Sequence, residues 1–531
     1  MSLSKLEDHR EHMGRAISVS ELSHSIETRL QNGDNKAVFY NERMLGNQEL
    51  MVDVKAIKAL LRAQGVQLGD KILLAKENSY VFVAIYLALI QYGATVVPIN
   101  PAMPEPELLK VGTRAEARGA FVGDGILARI DLTQLPSLQF MVSIAATFQP
   151  GDAMKVERIA KLNGPPGKWQ APDEQTNAIL LFTSGTTGQP KGVALTHAQV
   201  FATVTQVIAT HELTATDITY CFLPLFHINA QVVALLSTIV SGGSLIIEER
   251  FSASRFWSTV ERHQVTWISA VPTVIGILLK TAELRVAETH PVPASLRFVR
   301  SASAPLPMLY AKRFESRFGV PIIESYGITE AASQVCVNPL PPGKRKLGSV
   351  GLPAGVELQI VGDDGRVVAA HERGEIAIRG RSVIRHYAYG DEGKDSFRNG
   401  WFYTGDLGHV DEDGYVYITG RKKEMINRAG QKISPREVED VISQHDGIRS
   451  VAVIGLPDEL HGERVAAFLV VEPWHLDESG LVEAVNALCR RSLSAYKCPE
   501  EYHVVEAIPA GPTGKVQRHR LKEAVLACGA R

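Results

Sequence analysis

Short, continuous apolar runs rich in β-branched residues alternate along the first two-thirds of the chain with stretches whose apolar positions return every three to four residues. Residues 71–75, 95–98, 179–182, 244–247, 267–270, 296–301 and 321–324 read as strands buried on both faces. Residues 56–64, 79–92 and 307–318 read as helices between them. This alternation predicts an α/β fold with largely parallel strands. The most apolar long stretch, 228–247, is broken by Asn229, Gln231, Ser237, Thr238 and Gly242-Gly243, each costly or helix-weakening in hydrocarbon. It predicts a buried helix followed by a strand, and no membrane span.

Beyond Gly351 the texture changes to hairpins over 356–361 and 374–379, punctuated by Asp363-Asp-Gly365 and Asp411-Glu-Asp-Gly414. A β subdomain over about 350–420 fits this pattern. From residue 424 onward a compact α+β unit of about 110 residues is long enough to fold by itself. Its first helix is marked by Ser434 as N-cap, Pro435 at the first position and Glu437 at the third, a capping box followed by Val438, Val441 and Ile442. The expected organisation is a large N-terminal domain of α/β layers over 1–420, a junction at 421–423 and a small C-terminal domain over 424–531.

Composition narrows the function classes. The 531 residues are 45% hydrophobic and 21% charged, as in ordinary globular chains of several packed units. With 56 basic and 58 acidic residues the formal net charge is −2, so no strong field draws in nucleic acid or an anionic membrane. The N-terminus carries mixed charge and no apolar secretory core, and the five cysteines form no CxxC pair. Both features point to a reducing, cytoplasmic setting with buried structural thiols.

The densest chemical signal is Thr183-Ser-Gly-Thr-Thr-Gly-Gln-Pro-Lys191, at the end of an apolar strand. Glycines let backbone N–H groups crowd an anion, the hydroxyls of Thr183, Ser184, Thr186 and Thr187 add donors, and Lys191 adds a positive charge. That is a polyphosphate cradle. It is not the P-loop of kinases and GTPases, because Pro190 stands where that pattern needs glycine.

Further motifs follow in order: Leu223-Pro-Leu-Phe-His-Ile-Asn-Ala230, Glu324-Ser-Tyr-Gly-Ile-Thr-Glu330, Trp401-Phe-Tyr-Thr-Gly-Asp406, Gly420-Arg-Lys-Lys-Glu-Met-Ile-Asn427 and Pro512-Thr-Gly-Lys515. Together with the cradle they resemble the AMP-forming adenylate-forming superfamily, which includes acyl-CoA synthetases, luciferases and the adenylation domains of peptide synthetases. The resemblance spans essentially the whole chain. It implies an acid–CoA ligase: ATP and a carboxylic acid give an acyl-AMP and pyrophosphate, and coenzyme A then takes the acyl group as AMP leaves.

The same resemblance implies roles residue by residue. Thr183, Ser184, Gly185, Thr186, Thr187, Gly188 and Lys191 would contact phosphate, and Ser325, Tyr326, Gly327 and Thr329 the nucleotide. Glu330 resembles the Mg²⁺ ligand; a single carboxylate with ATP oxygens and water is ordinary coordination for that ion. Asp406 would bind the ribose diol, although an Asx-turn is its alternative reading. Arg421 would reach the nucleotide, and Lys515 would bridge the acid and the α-phosphate as charge develops. Lys423 matches the position of a hinge about which a mobile C-terminal domain rotates, and Gly430 the segment that lines the path of coenzyme A. Gly430 is equally readable as a hairpin glycine.

His227 reads either as a core histidine or, by resemblance, as a group beside the acid and the thiol path. Ile228 stands where amino-acid-activating relatives carry an aspartate, which argues against an amino acid as substrate. The small residues of 301–305 and 331–337 predict walls suited to a neutral acyl or aryl chain. The stretch 300–350 and the later Ile426-Asn-Arg428 and Lys432-Ile-Ser-Pro435 are similar to oxalyl-CoA synthetase-like and carnitine/crotonobetaine-CoA ligase-like members. With sixteen residues after Lys515 and no carrier domain there, the thiol is expected in trans, as coenzyme A or as an acyl-carrier protein. A stand-alone adenylating enzyme that loads a carrier protein is the alternative.

Overall fold

The computed structural model describes residues 19–32, 38–40, 43–145, 149–152, 154–158, 170–183, 190–284, 292–390, 392–472, 478–511 and 516–529. Among these residues the large domain holds two sheets with parallel interiors. One runs Lys155–Arg158, Phe140–Ile144, Gly119–Gly123, Lys71–Ala75, Thr95–Ile99, Asn177–Thr183, Lys191–Thr196 in spatial order. The other runs from Leu352–Pro353 through Cys336–Val337, Ile322–Tyr326, Phe298–Ser301, Trp267–Ala270, Ile218–Cys221, Ser244–Ile247 and Val38–Tyr40 to Arg43–Leu45. Antiparallel pairing is confined to the edges of both sheets.

Continuity of the apolar runs is explained by the layer between the sheets. Helix Tyr80–Tyr92 is buried at every position and packs against Val38–Tyr40 of one sheet and Lys71–Ala75 and Thr95–Ile99 of the other. Such a helix shows no polar stripe. Its ends are still set locally, by the Ser79 hydroxyl accepting from the Phe82 N–H and by Gly93 in the left-handed region at φ 87°. The apolar stretch at 228–247 is a helix with wide turns over Asn229–Leu236, a regular turn over Ser237–Ser241 and a strand over Ser244–Ile247. No helix among the described residues is long and apolar enough to cross a membrane.

The predicted hairpins form a third sheet, in which Val356–Val361, Gly374–Gly380, Trp401–Val410 and Val416–Arg421 pair antiparallel in turn. Lys422–Glu424 then leads into a fourth sheet, built on the long hairpin of Ile448–Asp458 with Gly462–Val471. Helices Pro435–Ile442 and Glu478–Ser492 pack with it. The capping box expected at Ser434 is not made: its hydroxyl donates to the Thr419 carbonyl at 2.5 Å, and Glu437 pairs with Lys497 at 2.5 Å. Tertiary partners outcompete the local cap because they join this helix to neighbouring elements. Cys221, Cys336 and Cys489 are buried thiols as expected, whereas Cys498 is only partly covered.

Candidate active site

The two ends of the phosphate loop are fixed by sheet register. Thr183 and Lys191 lie directly opposite each other across the antiparallel pair of Asn177–Thr183 with Lys191–Thr196. Ser184, Gly185, Thr186, Thr187 and Gly188, and likewise Lys515, lie outside the described residues. Lys191 Nζ sits 4.6 Å from the ring centre of Tyr387, and the Tyr387 hydroxyl donates to Glu330 Oε1 at 3.0 Å. One aromatic side chain therefore joins the cradle lysine to the candidate Mg²⁺ ligand, which are far apart in sequence. Burial, reinforced by Glu330, raises the Tyr387 pKa, so the phenol stays protonated and keeps donating. Sequence reasoning missed Tyr387, since an aromatic in a loop carries no pattern of its own.

Glu330 is carried by the short turn Thr329–Ala331, which follows the strand Ile322–Tyr326. Gly327 lies between them because the backbone passes against Ser333: a Cβ there would stand 1.4 Å from the Ser333 carbonyl oxygen. Asp406 is almost fully buried, and both of its carboxylate oxygens are engaged. Oδ1 accepts from Arg421 Nε at 2.8 Å, and Oδ2 accepts from the Tyr326 hydroxyl at 2.5 Å. Register supplies the first contact, because Asp406 and Arg421 face each other across two antiparallel strands. Burial opposes the Arg421 charge, but Asp406, with smaller help from Tyr326, Glu424 and Glu330, outweighs it and raises the pKa. The Asx-turn alternative fails: the local turn is made by the Thr404 hydroxyl, which accepts from the Asp406 N–H at 3.1 Å.

A cavity of about 560 Å³ opens at this point, with Ser303, Ser325, Tyr326, Asp406 and Arg421 on the large-domain side. Val516 and Arg518 from the C-terminal domain close the other side. Arg518 is held by Glu424 at 2.8 Å and by both oxygens of Glu439 at 2.7 Å. Glu324 also lines the cavity, and burial pushes its carboxyl up to about 7 against the Gly348 N–H that it accepts at 2.9 Å. Lys423 is pushed down by desolvation first and then by the nearby charges of Arg421 and Lys191.

Two expectations fall elsewhere. Gly430 is exposed at the tip of the turn between Ile426–Arg428 and Gln431–Ile433, at φ 82°, and does not line the cavity. In this arrangement it is a hairpin glycine. His227 is not on the cavity wall either, and its buried Nε2 has no partner among the described residues, so it is not a satisfied core histidine. Burial lowers its pKa to about 4, which keeps the ring neutral at neutral pH.

The acid side is also less apolar than the small residues suggested. Behind Ser301 and Ser325 lies Arg300, 1% exposed, whose Nη1 donates to Asn229 Oδ1 at 3.0 Å and Ser269 Oγ at 3.2 Å. Its Nη2 donates to Ser325 Oγ at 2.8 Å. The only available signal was a charged residue inside an otherwise apolar strand.

A buried carboxylate, a strand-end lysine above an aromatic ring and a second carboxylate bonded to that ring are the kinds of group a nucleotide site needs. The chain belongs to the AMP-binding enzyme family: that family matches residues 27–388, and the AMP-binding enzyme C-terminal domain matches residues 437–515. It is similar to the sulfoacetate–CoA ligase of Cupriavidus necator, 36% identical over 89% of this chain and 91% of the relative. The oxalate–CoA ligase of Arabidopsis thaliana is 34% identical over 87% of this chain and 90% of the relative. Among solved structures, the anthranilate CoA ligase AuaEII with anthranoyl-AMP superposes with a TM-score of 0.84 at 27% identity, covering 96% of this chain and 98% of that one. The protein is an AMP-forming acid–CoA ligase that uses ATP, Mg²⁺ and coenzyme A with a small-molecule carboxylic acid.

The residues present fit these groups. Glu330 keeps Oε2 beyond the oxygen that accepts from Tyr387, and no cluster of three or more His, Cys, Asp or Glu among the described residues offers a competing metal cage. One carboxylate completed by phosphate oxygens and water suits Mg²⁺.

Proposed function

We propose that the ligase acts on a short acid through the following assignment, carried by one observation: Tyr326, Asp406 and Arg421 share a cavity wall with Val516, the neighbour of Lys515. Asp406 binds the ribose hydroxyls with the lone pairs left free by Tyr326 and Arg421. Thr183, Ser184, Gly185, Thr186, Thr187, Gly188 and Lys191 hold the phosphates, and Ser325, Gly327 and Thr329 shape the nucleotide wall. Mg²⁺ held by Glu330 supplies charge neutralisation on the phosphates. Lys515 places its ammonium between the acid carboxylate and the α-phosphate, where negative charge gathers as pyrophosphate leaves. The substrates named for the two relatives, sulfoacetate and oxalate, support a short acid.

For thioester formation the C-terminal domain, over 424–531, rotates about 421–423 and brings Gly430 to the cavity in place of Lys515. Two of the ion pairs between the domains suit such a motion, whereas the bond from buried Ser434 to the Thr419 carbonyl and the Lys280–Glu472 pair at 3.3 Å would have to break. Arg313 pairs with Asp446 at 2.6 Å and Lys432 with Asp363 at 3.3 Å, and these side chains are largely exposed. Exposed pairs contribute only about 0–1 kcal/mol each, so exchanging them costs little. The free and mostly buried cysteines support a cytoplasmic setting.

The half-reactions separate in Lys515→Ala. Pyrophosphate exchange should fall by on the order of 100-fold or more, as for loss of a transition-state donor. Thioester formation from a pre-made acyl-AMP and coenzyme A should stay within a few-fold. Equal losses in both would remove the assignment, and AMP release that needs an acyl-carrier protein rather than free coenzyme A would change the acceptor.

A further inference from the structure

Arg300 is one of the largest fully buried side chains, and among the described residues no carboxylate pairs with it. A guanidinium taken out of water normally sits against an anion, because the loss of hydration is repaid only by an opposite charge and a full set of acceptors. Here the acceptors are three neutral oxygens, those of Asn229, Ser269 and Ser325, and the buried Nε has no partner. Desolvation draws its pKa down to about 9, which leaves it charged at neutral pH. The nearest titratable neighbour it influences, His211, is itself held neutral, by burial first and then by Arg300.

Two of the three acceptors lead directly to the cavity. Ser325 is part of the cavity wall, and Asn229 Nδ2 donates at 3.4 Å to Ser303, also on that wall. Ser301, next to Arg300 in the strand, lines the cavity with a buried hydroxyl that has no partner among the described residues. An unneutralised cation thus stands one hydroxyl behind the wall, two residues along from His227 through Asn229. A turn of Ser325 about χ1, which would give up its bond to the Cys336 carbonyl at 2.8 Å, would free Nη2 toward the cavity. Two residues before Arg300 in the strand, Phe298 stacks on Trp267 at 5.8 Å, so the arginine is bordered by buried aromatic rings.

We propose that Arg300 is the counterion for a second anionic group on the acid, so that the substrate class is a short dianion: a dicarboxylate or a sulfonated carboxylate. This rests on the acid–CoA ligase reading. Recognition follows the usual asymmetry of polar sites: an acid lacking the second anion leaves the buried cation unpaired and is rejected strongly.

AMP release with ATP, Mg²⁺ and coenzyme A, measured for oxalate, malonate, succinate and sulfoacetate against acetate, propionate and butyrate, tests the proposal. At least one dianion should exceed its size-matched monoacid in kcat/KM by on the order of 100-fold, and the carboxylate and sulfonate arms show which anion is preferred. Arg300→Met should abolish that preference, and Arg300→Lys, which keeps the charge but not the planar fork, should retain part of it. With ATP and Mg²⁺ present, the preferred dianion should raise the melting temperature of the wild type but not of Arg300→Met. Monoacids equal to or better than every dianion in the wild type overturn the proposal and leave the ligase reading standing. A dianion preference kept by Arg300→Met does the same. Absence of coenzyme A-dependent AMP release across the whole panel, while a longer or aromatic acid is activated, overturns the proposal and leaves the ligase activity standing.

Discussion

Replacing Asp406 by asparagine keeps the side-chain shape and removes one charge. In the protein both carboxylate oxygens are used, one by Arg421 at 2.8 Å and one by Tyr326 at 2.5 Å, and under the proposed assignment the ribose hydroxyls would bind the remaining lone pairs. Hydrogen bonds to an ionised acceptor are worth about 1.5–3 kcal/mol and neutral ones about 1 kcal/mol, so each ribose contact loses about 1 kcal/mol. Two contacts give about 2 kcal/mol, a rise of roughly 30-fold in the KM for ATP. The unpaired Arg421 adds a stability loss near the low end for ion pairs, about 1 kcal/mol, because a third of its side chain faces solvent. The assay is pyrophosphate release at saturating acid with ATP and with 2′-deoxy-ATP. The wild type should discriminate against the deoxy nucleotide, and Asp406→Asn should discriminate less, since the charge that rewards the hydroxyl has gone. A variant that discriminates as strongly as the wild type would refute the ribose assignment, whatever its overall activity.

Tyr387→Phe deletes the bond to Glu330 but leaves a ring under Lys191, so the Mg²⁺ concentration for half activity should rise about 3- to 10-fold, from a hydrogen bond worth about 1 kcal/mol. An unchanged magnesium titration would detach Tyr387 from the metal site. Stability against pH carries two opposing terms. His197 and His227, drawn down by burial to about 4 from 6.5, are protonated more readily in the unfolded chain, so they favour the fold increasingly as pH rises from 4 to 6.5. Glu324, raised by burial to about 7 from 4.5, ionises more readily unfolded and acts in the opposite sense as pH rises from 4.5 to 7. Glu324→Gln, whose amide oxygen still accepts from the Gly348 N–H, should therefore show a steeper gain in denaturant stability between pH 4.5 and 6.5 than the wild type.

Elements set by local pattern were legible without coordinates. Continuous apolar runs placed Lys71–Ala75, Ser244–Ile247 and Trp267–Ala270 at their observed bounds, because a strand covered on both faces admits few polar residues anywhere along it. The Asp-Gly turns were likewise local chemistry, whereas the helix read over 79–92 begins at Tyr80, with Ser79 as its cap. The capping box at Ser434 failed for the complementary reason: a side chain with both a local and a distant partner chooses by free energy, and the distant carbonyl of Thr419 is invisible along the chain.

The same division runs through the site. The sequence by itself determined which chemical groups are present, since the order and spacing of the motifs carry Lys191, Glu330, Asp406, Arg421 and Lys515, and with them the reaction. Only the tertiary structure decided how those groups are coupled. Tyr387 links Lys191 to Glu330, Tyr326 and Arg421 share Asp406, and Arg300 lies buried with no anion among the described residues, where small residues had suggested a neutral wall. Electrostatic and hydrogen-bond energies depend on distance and burial, and residues 71 or 80 positions apart acquire either only when the chain folds.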